Sequence, residues 1–178
     1  MTATDILAWH DFLGIVAQIG ATLTGLIFVG LTISLNHVLK ARGYLARAFT
    51  ALVLQFEFLI LGLLGLVPNQ PPSVLGGEFI FVGLALLLGI SVFVRNFPED
   101  EQSTVLGSRG PRTIRALLTA TATLFPAITG LSLILGWPGA FYWLIPAAVA
   151  AIYLSVAYAW IFGIEIPRRE WETTKKQS

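Results

Sequence analysis

Residues 12–35 read FLGIVAQIGATLTGLIFVGLTISL, an uncharged run of 24 residues that decides the fold class. A helix of this length rises about 36 Å, which is enough to cross a bilayer hydrocarbon core about 30 Å thick. Further apolar runs follow at residues 47–67, 75–94, 114–135 and 140–164. The pattern predicts an all-α bundle of five transmembrane helices. We expect residues 1–178 to form a single transmembrane domain, with no soluble domain.

The composition also indicates a polytopic membrane protein. Hydrophobic residues make up 56% of the chain and charged residues only 12%. The charged share is about half that of soluble domains, which excludes a soluble globular protein, a disordered chain and a nucleic-acid-binding protein. The chain contains no cysteine, so disulfides, thiolate nucleophiles and cysteine-ligated metal centres are excluded as well.

The basic residues predict the orientation of the chain in the membrane. With five spans, every Lys and Arg falls on the same side, and the positive-inside rule makes that side cytoplasmic. The N-terminus is then outside and the C-terminus in the cytoplasm. These residues are Lys40, Arg42, Arg47, Arg95, Arg109, Arg112, Arg115, Arg168, Arg169, Lys175 and Lys176.

Catalytic and metal-binding patterns are absent from the sequence. His10 and His37 lie at opposite ends of the first span, so they cannot hold one metal ion within a monomer. The sequence has no HExxH, GxSxG or P-loop motif. The acidic run at residues 99–101 is typical of a solvated loop, because adjacent side chains point apart and no further ligands are nearby. We therefore expect no enzymatic activity, no metal and no cofactor.

The fifth span has a smooth face of small residues. Helices in lipid associate through small side chains and hydrogen bonds, because hydrocarbon offers no hydrophobic force between them. This face therefore predicts close contact with another helix, either within the monomer or from a neighbouring chain. Its members recur every fourth residue: Ala147, Ala151, Ser155, Ala159 and Gly163.

The first span carries a more polar face. One interpretation is helix packing, in which the polar groups satisfy one another in a dry bundle. The other is a pore lining, formed when several copies of this helix surround an axis. Both remain open from sequence. The residues are Gln18, Thr22, Gly25, Val29, Thr32 and Asn36.

Glu57 lies ten residues from each end of the second span, which predicts a position near the bilayer midplane. No Lys or Arg is expected at that depth, so an ionised carboxylate would have no counter-charge, at a high energetic cost. We expect Glu57 to be a neutral acid that donates a structural hydrogen bond, or else a proton- or cation-linked site. Hydroxyl groups predicted at the same depth belong to Thr22, Thr24, Thr123 and Tyr153.

Residues 21–36, ATLTGLIFVGLTISLN, resemble the first span of a group of small bacterial membrane proteins. Those proteins carry a segment similar to ALTGLxFVxxSxNL followed by basic residues, and some are identified as modulators of the FtsH protease. The resemblance implies a location in the bacterial inner membrane. It implies no active site.

Two classes of function fit the sequence. One is a homo-oligomeric proton or cation channel with a carboxyl at the membrane midplane. The other is an accessory or regulatory subunit that packs against a larger membrane complex, such as a membrane protease or an energy-transducing complex. The expected partners are membrane lipids and either identical chains or that larger complex, without nucleic acid.

Overall fold

A computed structural model describes residues 8–35, 38, 42–96, 112–165 and 168. Each of five segments is helical and is long and apolar enough to cross a membrane, which confirms the predicted all-α, five-span architecture. A short 3-10 turn, Ala140–Trp143, precedes the last helix, and a π-helical turn, Ile161–Glu165, follows it. The helices are α1 (His10–Ile33), α2 (Arg42–Gly65), α3 (Pro72–Asn96), α4 (Arg112–Ile134) and α5 (Leu144–Trp160).

The helix boundaries differ from the predicted spans mainly at the start of α2. This helix begins at Arg42, five residues before the apolar run that marked the span. Hydropathy marks where the apolar run begins. The backbone hydrogen bonds of the helix can extend beyond that run, as they do here toward Arg42. By contrast, α3 begins at Pro72, and proline fits the first helical position because its missing N–H has no intrahelical role there.

The link between α4 and α5 is nine residues long, residues 135–143, and ends in the 3-10 turn. Gly136 and Gly139 adopt φ angles of 68° and 75°, a left-handed conformation that glycine tolerates because it has no Cβ. These two glycines reverse the chain, and α4 and α5 then pack against each other.

The helices form a ring with one helix outside it. Contacts join α2 to α3, α3 to α4, α4 to α5, and α5 back to α2. The remaining helix, α1, packs against α2 and α5. Thus α5 joins the two sequential hairpins, α1–α2 and α3–α4.

The two ends of the bundle differ in chemistry. At one end, which we call the aromatic end, Trp9 stacks on Phe141 with ring centroids 5.7 Å apart and meets Tyr142 edge-on at 5.0 Å. The other end, which we call the basic end, brings together arginines from α2, α3 and α4. Successive helices run in opposite directions, so the start of α1 and the α4–α5 link share the aromatic end, whereas the start of α2, the end of α3 and the start of α4 share the basic end.

The outer surface of the bundle is apolar. Large hydrophobic side chains are exposed on every helix, among them Phe28, Phe81, Leu88, Leu131 and Val149. Soluble proteins rarely expose apolar surface on this scale, whereas hydrocarbon is a suitable solvent for it. The chain is a multi-pass membrane protein.

Two helix pairs approach closely through glycine. A Cβ added at Gly76 of α3 would lie 2.5 Å from the carbonyl oxygen of Gly130 in α4. A Cβ added at Gly62 of α2 would lie 2.7 Å from the Cβ of Ala17 in α1. Both pairs of helices therefore pack with their backbones closer than any larger residue would permit.

Candidate functional site

Glu57 is the most deeply enclosed acidic side chain of the described residues. Its exposed fraction is 0%. Neither carboxyl oxygen has a hydrogen-bond partner within the described part of the chain. A buried charge without a partner is very costly, so either a proton or a cation must neutralise this group.

The direction in which Glu57 points follows from the geometry of α2. Ala46 and Thr50 precede it by 11 and 7 residues, which places each of them within about 20° of Glu57 around the helix. Ala46 and Thr50 line a cavity among α2, α3, α4 and α5. Glu57 therefore lies on the cavity-lining face of α2, about 10 Å beyond Thr50 along the helix axis.

That cavity has a volume of about 590 Å³ and lies at the basic end. Arg47 of α2, Arg95 of α3 and Arg115 of α4 all line it. Arg47 is buried, and its guanidinium lies 5.9 Å from the centre of the Tyr44 ring. From sequence these arginines only indicated an orientation. Their convergence on one cavity depends on the ring of four helices, which no local pattern reveals.

The opposite face of α2 is tied to α5 by a polar contact. The side-chain amide of Gln55 donates to the Ser155 hydroxyl and to the Ala151 carbonyl, the latter at 3.3 Å. All three residues are buried. The contact fixes the rotation of α2 and so keeps Glu57 on the cavity side.

The small face of α5 lies inside the monomer. Ala147, like Ala151 and Ser155, is fully buried in the bundle. Further along, a Cβ added at Gly30 of α1 would lie 3.7 Å from the Ala159 carbonyl oxygen and 3.6 Å from the Gly163 nitrogen. The sequence left a neighbouring chain open as the partner of this face, and the structure places α2 and α1 there.

Hydroxyl groups at the depth of Glu57 are mostly engaged with their own helices. Thr123 is buried, but its hydroxyl donates to the Thr119 carbonyl at 3.0 Å. In α1, Thr24 donates to the Gly20 carbonyl at 2.7 Å, and the exposed Thr22 donates to the Gln18 carbonyl at 2.8 Å.

Tyr153 faces the outside of the bundle at this depth. Its side chain is 63% exposed and lines a shallow depression on the outer surface of α5. Residue counting gives the depth of a side chain along a span. It does not give the face, which depends on where the neighbouring helices lie. Tyr153 therefore shares its depth with Glu57 but not its surroundings.

The polar face of α1 lies on the outside of the bundle. Of the predicted pore-lining residues, Gln18, Thr22, Gly25, Val29 and Thr32 are all exposed, and Asn36 lies outside the described residues. A Cβ added at Gly25 would meet nothing within 4 Å, so the surface there is open. The side-chain amide of Gln18 makes no hydrogen bond within the described residues. We call Gln18, Thr22, Gly25, Val29 and Thr32 the α1 stripe.

A metal ion would find few ligands around Glu57. Among the described residues, no group of three or more His, Asp or Glu side chains lies together. Glu78 is near the start of α3 and accepts a hydrogen bond from Gln70 at 2.6 Å. Searches against known proteins found no matching protein family, curated protein or solved structure.

Proposed function

We propose that this chain is a non-enzymatic, homo-oligomeric membrane protein that conducts protons through Glu57. The observation that carries the proposal is the full burial of a carboxyl group with no hydrogen-bond partner among the described residues. Ionisable residues inside a membrane are costly, and they commonly mark ion pathways or proton relays. The cavity that follows the same face of α2 offers a route from the basic end toward this carboxyl.

A proton suits this site better than a metal cation. Calcium requires six to eight oxygen ligands and magnesium requires near-ideal octahedral geometry, whereas a proton needs a single carboxyl oxygen.

A buried carbonyl in α4 supports the same proposal. Pro126 lies within α4 and has no N–H, so the Ala122 carbonyl loses its helical donor. Glu57 is 10 residues beyond Arg47 and Ala122 is 7 residues beyond Arg115, so they lie about 15 Å and about 10 Å from the arginine level. A protonated Glu57 and this carbonyl are therefore a donor and an acceptor within about one helical turn of each other in depth.

The direct test is proton flux in liposomes that contain the purified protein. Replacing Glu57 with Gln preserves size and hydrogen-bonding capacity but removes the exchangeable proton. We expect Glu57→Gln to reduce proton flux at least about tenfold, as general proton-transfer groups commonly contribute a hundredfold or more. Glu78→Gln is the matched control, because it neutralises a carboxyl near a helix end, and its flux should equal that of the parent.

Folding is monitored in the same samples by circular dichroism and by elution volume in detergent. Two results contradict the proposal. One is the absence of proton flux from the parent at every pH between about 5 and 8, the physiological range. The other is a folded Glu57→Gln variant that conducts as well as the parent.

We further propose that the protein resides in a bacterial inner membrane with its basic end in the cytoplasm. The clustering of Arg47, Arg95 and Arg115 at one end supports this orientation, because arginine is enriched on the cytoplasmic side of membrane proteins. In this orientation α1 starts outside and α5 runs toward the cytoplasm.

The homo-oligomeric state is supported by the α1 stripe. An amide that faces hydrocarbon without a hydrogen bond is unfavourable, and Gln18 is in that position in a single chain. An amide carries both donors and an acceptor, so two copies of Gln18 can satisfy each other across a symmetric contact. Gly25 in the same stripe permits close approach of the two helices.

An accessory subunit of a larger membrane complex is the second candidate function. The α1 stripe carries this candidate too, since a helix of another protein could satisfy Gln18 equally well. The small face of α5 does not support an accessory subunit, because that face is buried within the monomer.

Mass in mild detergent, measured by light scattering, distinguishes the two candidates. We expect the parent to be a defined multimer of identical chains and Gln18→Leu to dissociate into smaller species, because leucine removes the paired amides. Leu26→Ala is the control, since Leu26 is also exposed on α1 but lies outside the stripe. A monomeric parent that co-purifies with a larger complex would favour the accessory subunit and contradict the homo-oligomer.

A further inference from the structure

The cavity at the basic end has a chemistry of its own, separate from Glu57. Arg47, Arg95 and Arg115 come from three different helices and line one space of about 590 Å³. No acidic side chain belongs to that lining among the residues the structure describes. The planar guanidinium group binds phosphate through two parallel hydrogen bonds, so three of them around one space favour a phosphate-bearing anion.

A layer of hydroxyl groups lies one turn deeper in the same cavity. Thr50 is three residues beyond Arg47, Ser91 is four residues before Arg95, and Thr119 is four residues beyond Arg115. Each helix thus presents an arginine and then a hydroxyl about one turn, or 5 Å, further into the bundle. The Thr50 hydroxyl donates to the Ala46 carbonyl at 2.9 Å, which leaves its lone pairs free to accept.

The wall becomes apolar beyond the hydroxyl layer. Leu87 lies two turns from Arg95, and Ile90 and Ala120 also line the cavity at or below the level of the hydroxyls. Polarity therefore decreases along the cavity, from charge to hydroxyl to hydrocarbon. A phospholipid has the same sequence of groups, from its phosphate through its ester region to its acyl chains.

We propose that this cavity binds the phosphate of an anionic phospholipid among Arg47, Arg95 and Arg115, with an acyl chain along the apolar wall. Basic pockets between transmembrane helices on the cytoplasmic side are suited to anionic headgroups. The same phosphate chemistry is available from free phosphate in solution, which has no acyl chain to fill the apolar wall. The same cavity is the route proposed above for protons, so a bound lipid would occupy that route, but lipid binding is measured without proton flux.

The proposal is tested by thermal unfolding of the full chain in a neutral detergent, followed through tryptophan fluorescence. Phosphatidylglycerol, phosphatidylcholine and inorganic phosphate are titrated in separate series. A ligand that binds only the folded state raises the melting temperature, and the rise follows the logarithm of ligand concentration once that concentration exceeds the dissociation constant. We expect such a rise with phosphatidylglycerol, decreasing with added salt, and a much smaller rise with phosphatidylcholine or inorganic phosphate.

Arginine variants locate the binding site. Arg95→Gln and Arg115→Gln should each weaken the apparent affinity for phosphatidylglycerol by about five- to tenfold, the effect of removing one charged contact. Arg47 is only 2% exposed, so its replacement would test folding as well as binding. Arg168→Gln is the control, since it removes the same charge at an exposed residue that does not line the cavity.

Three results would overturn the proposal. The first is equal stabilisation by phosphatidylglycerol and phosphatidylcholine, which would mean that charge plays no part. The second is equal stabilisation by inorganic phosphate, which would assign the site to a free anion. The third is unchanged affinity in both Arg95→Gln and Arg115→Gln. Each result leaves the flux test of Glu57 unaffected, because that test uses a different residue and a different readout.

Discussion

Gly130→Ala is expected to destabilise the folded bundle by about 2–3 kcal/mol, at the upper end of the usual cost of overpacking. The added methyl group would overlap the carbonyl oxygen of Gly76 and lie 3.0 Å from the nitrogen of Ile80. Both obstacles belong to the backbone of α3, so no side-chain rotation relieves them. The two helices must separate, which also weakens their contacts along the rest of the α3–α4 interface.

The measurement is unfolding in detergent by heat or by a denaturing surfactant. Gly89→Ala in α3 is the matched control, because a Cβ at Gly89 would meet nothing within 4 Å. Alanine has a higher helix propensity than glycine, so the control should melt at or slightly above the parent temperature. If Gly130→Ala and Gly89→Ala had the same melting temperature, α3 and α4 would not approach as closely as described.

Ala151→Leu is expected to cost about 3 kcal/mol, because it inserts a large side chain into a filled interface. Ala151 is 1% exposed, and its carbonyl accepts the hydrogen bond from Gln55. A leucine there would push α5 away from α2 and also stretch the bond from Gln55 to Ser155. That buried amide would then lose its partners, which adds to the loss of stability.

Ile152→Leu is the control for the second prediction. Ile152 neighbours Ala151 in the chain but lines the outer surface of α5, where an isomeric side chain has room. We expect its melting temperature to stay close to that of the parent. If Ala151→Leu and Ile152→Leu had the same melting temperature, the small face of α5 would have to lie against lipid rather than against α2.

The five helices could be predicted from sequence because one physical requirement acts on every span. A segment that crosses hydrocarbon needs enough apolar residues to match its thickness, and that requirement is met within each local stretch of chain. The position of Glu57 along its span was counted in the same way, along a single helix. Its complete burial depends on the neighbouring helices and could not be counted.

The faces of the helices could not be predicted in the same way. Thr123 and Tyr153 have similar depths, yet one is buried and the other exposed, because burial depends on which helix lies alongside. The close contact between Gly76 and Gly130 depends on two residues 54 positions apart that no local pattern connects. The three arginines of the cavity were each visible in the sequence, but their convergence required the order of helices around the ring.

Helix α5 closes the structure at two places. It accepts the amide of Gln55 from α2, and beyond its end the carbonyl of Phe162 accepts a hydrogen bond of 2.5 Å from the Ser34 hydroxyl, which follows α1. Yet α5 is the last of the five helices to leave the ribosome. A nascent chain with four inserted helices has two hairpins and no closed ring, so its arginine-lined cavity lacks the wall that Tyr158 provides. Synthesis of α5 therefore completes the ring and the cavity in a single step of assembly.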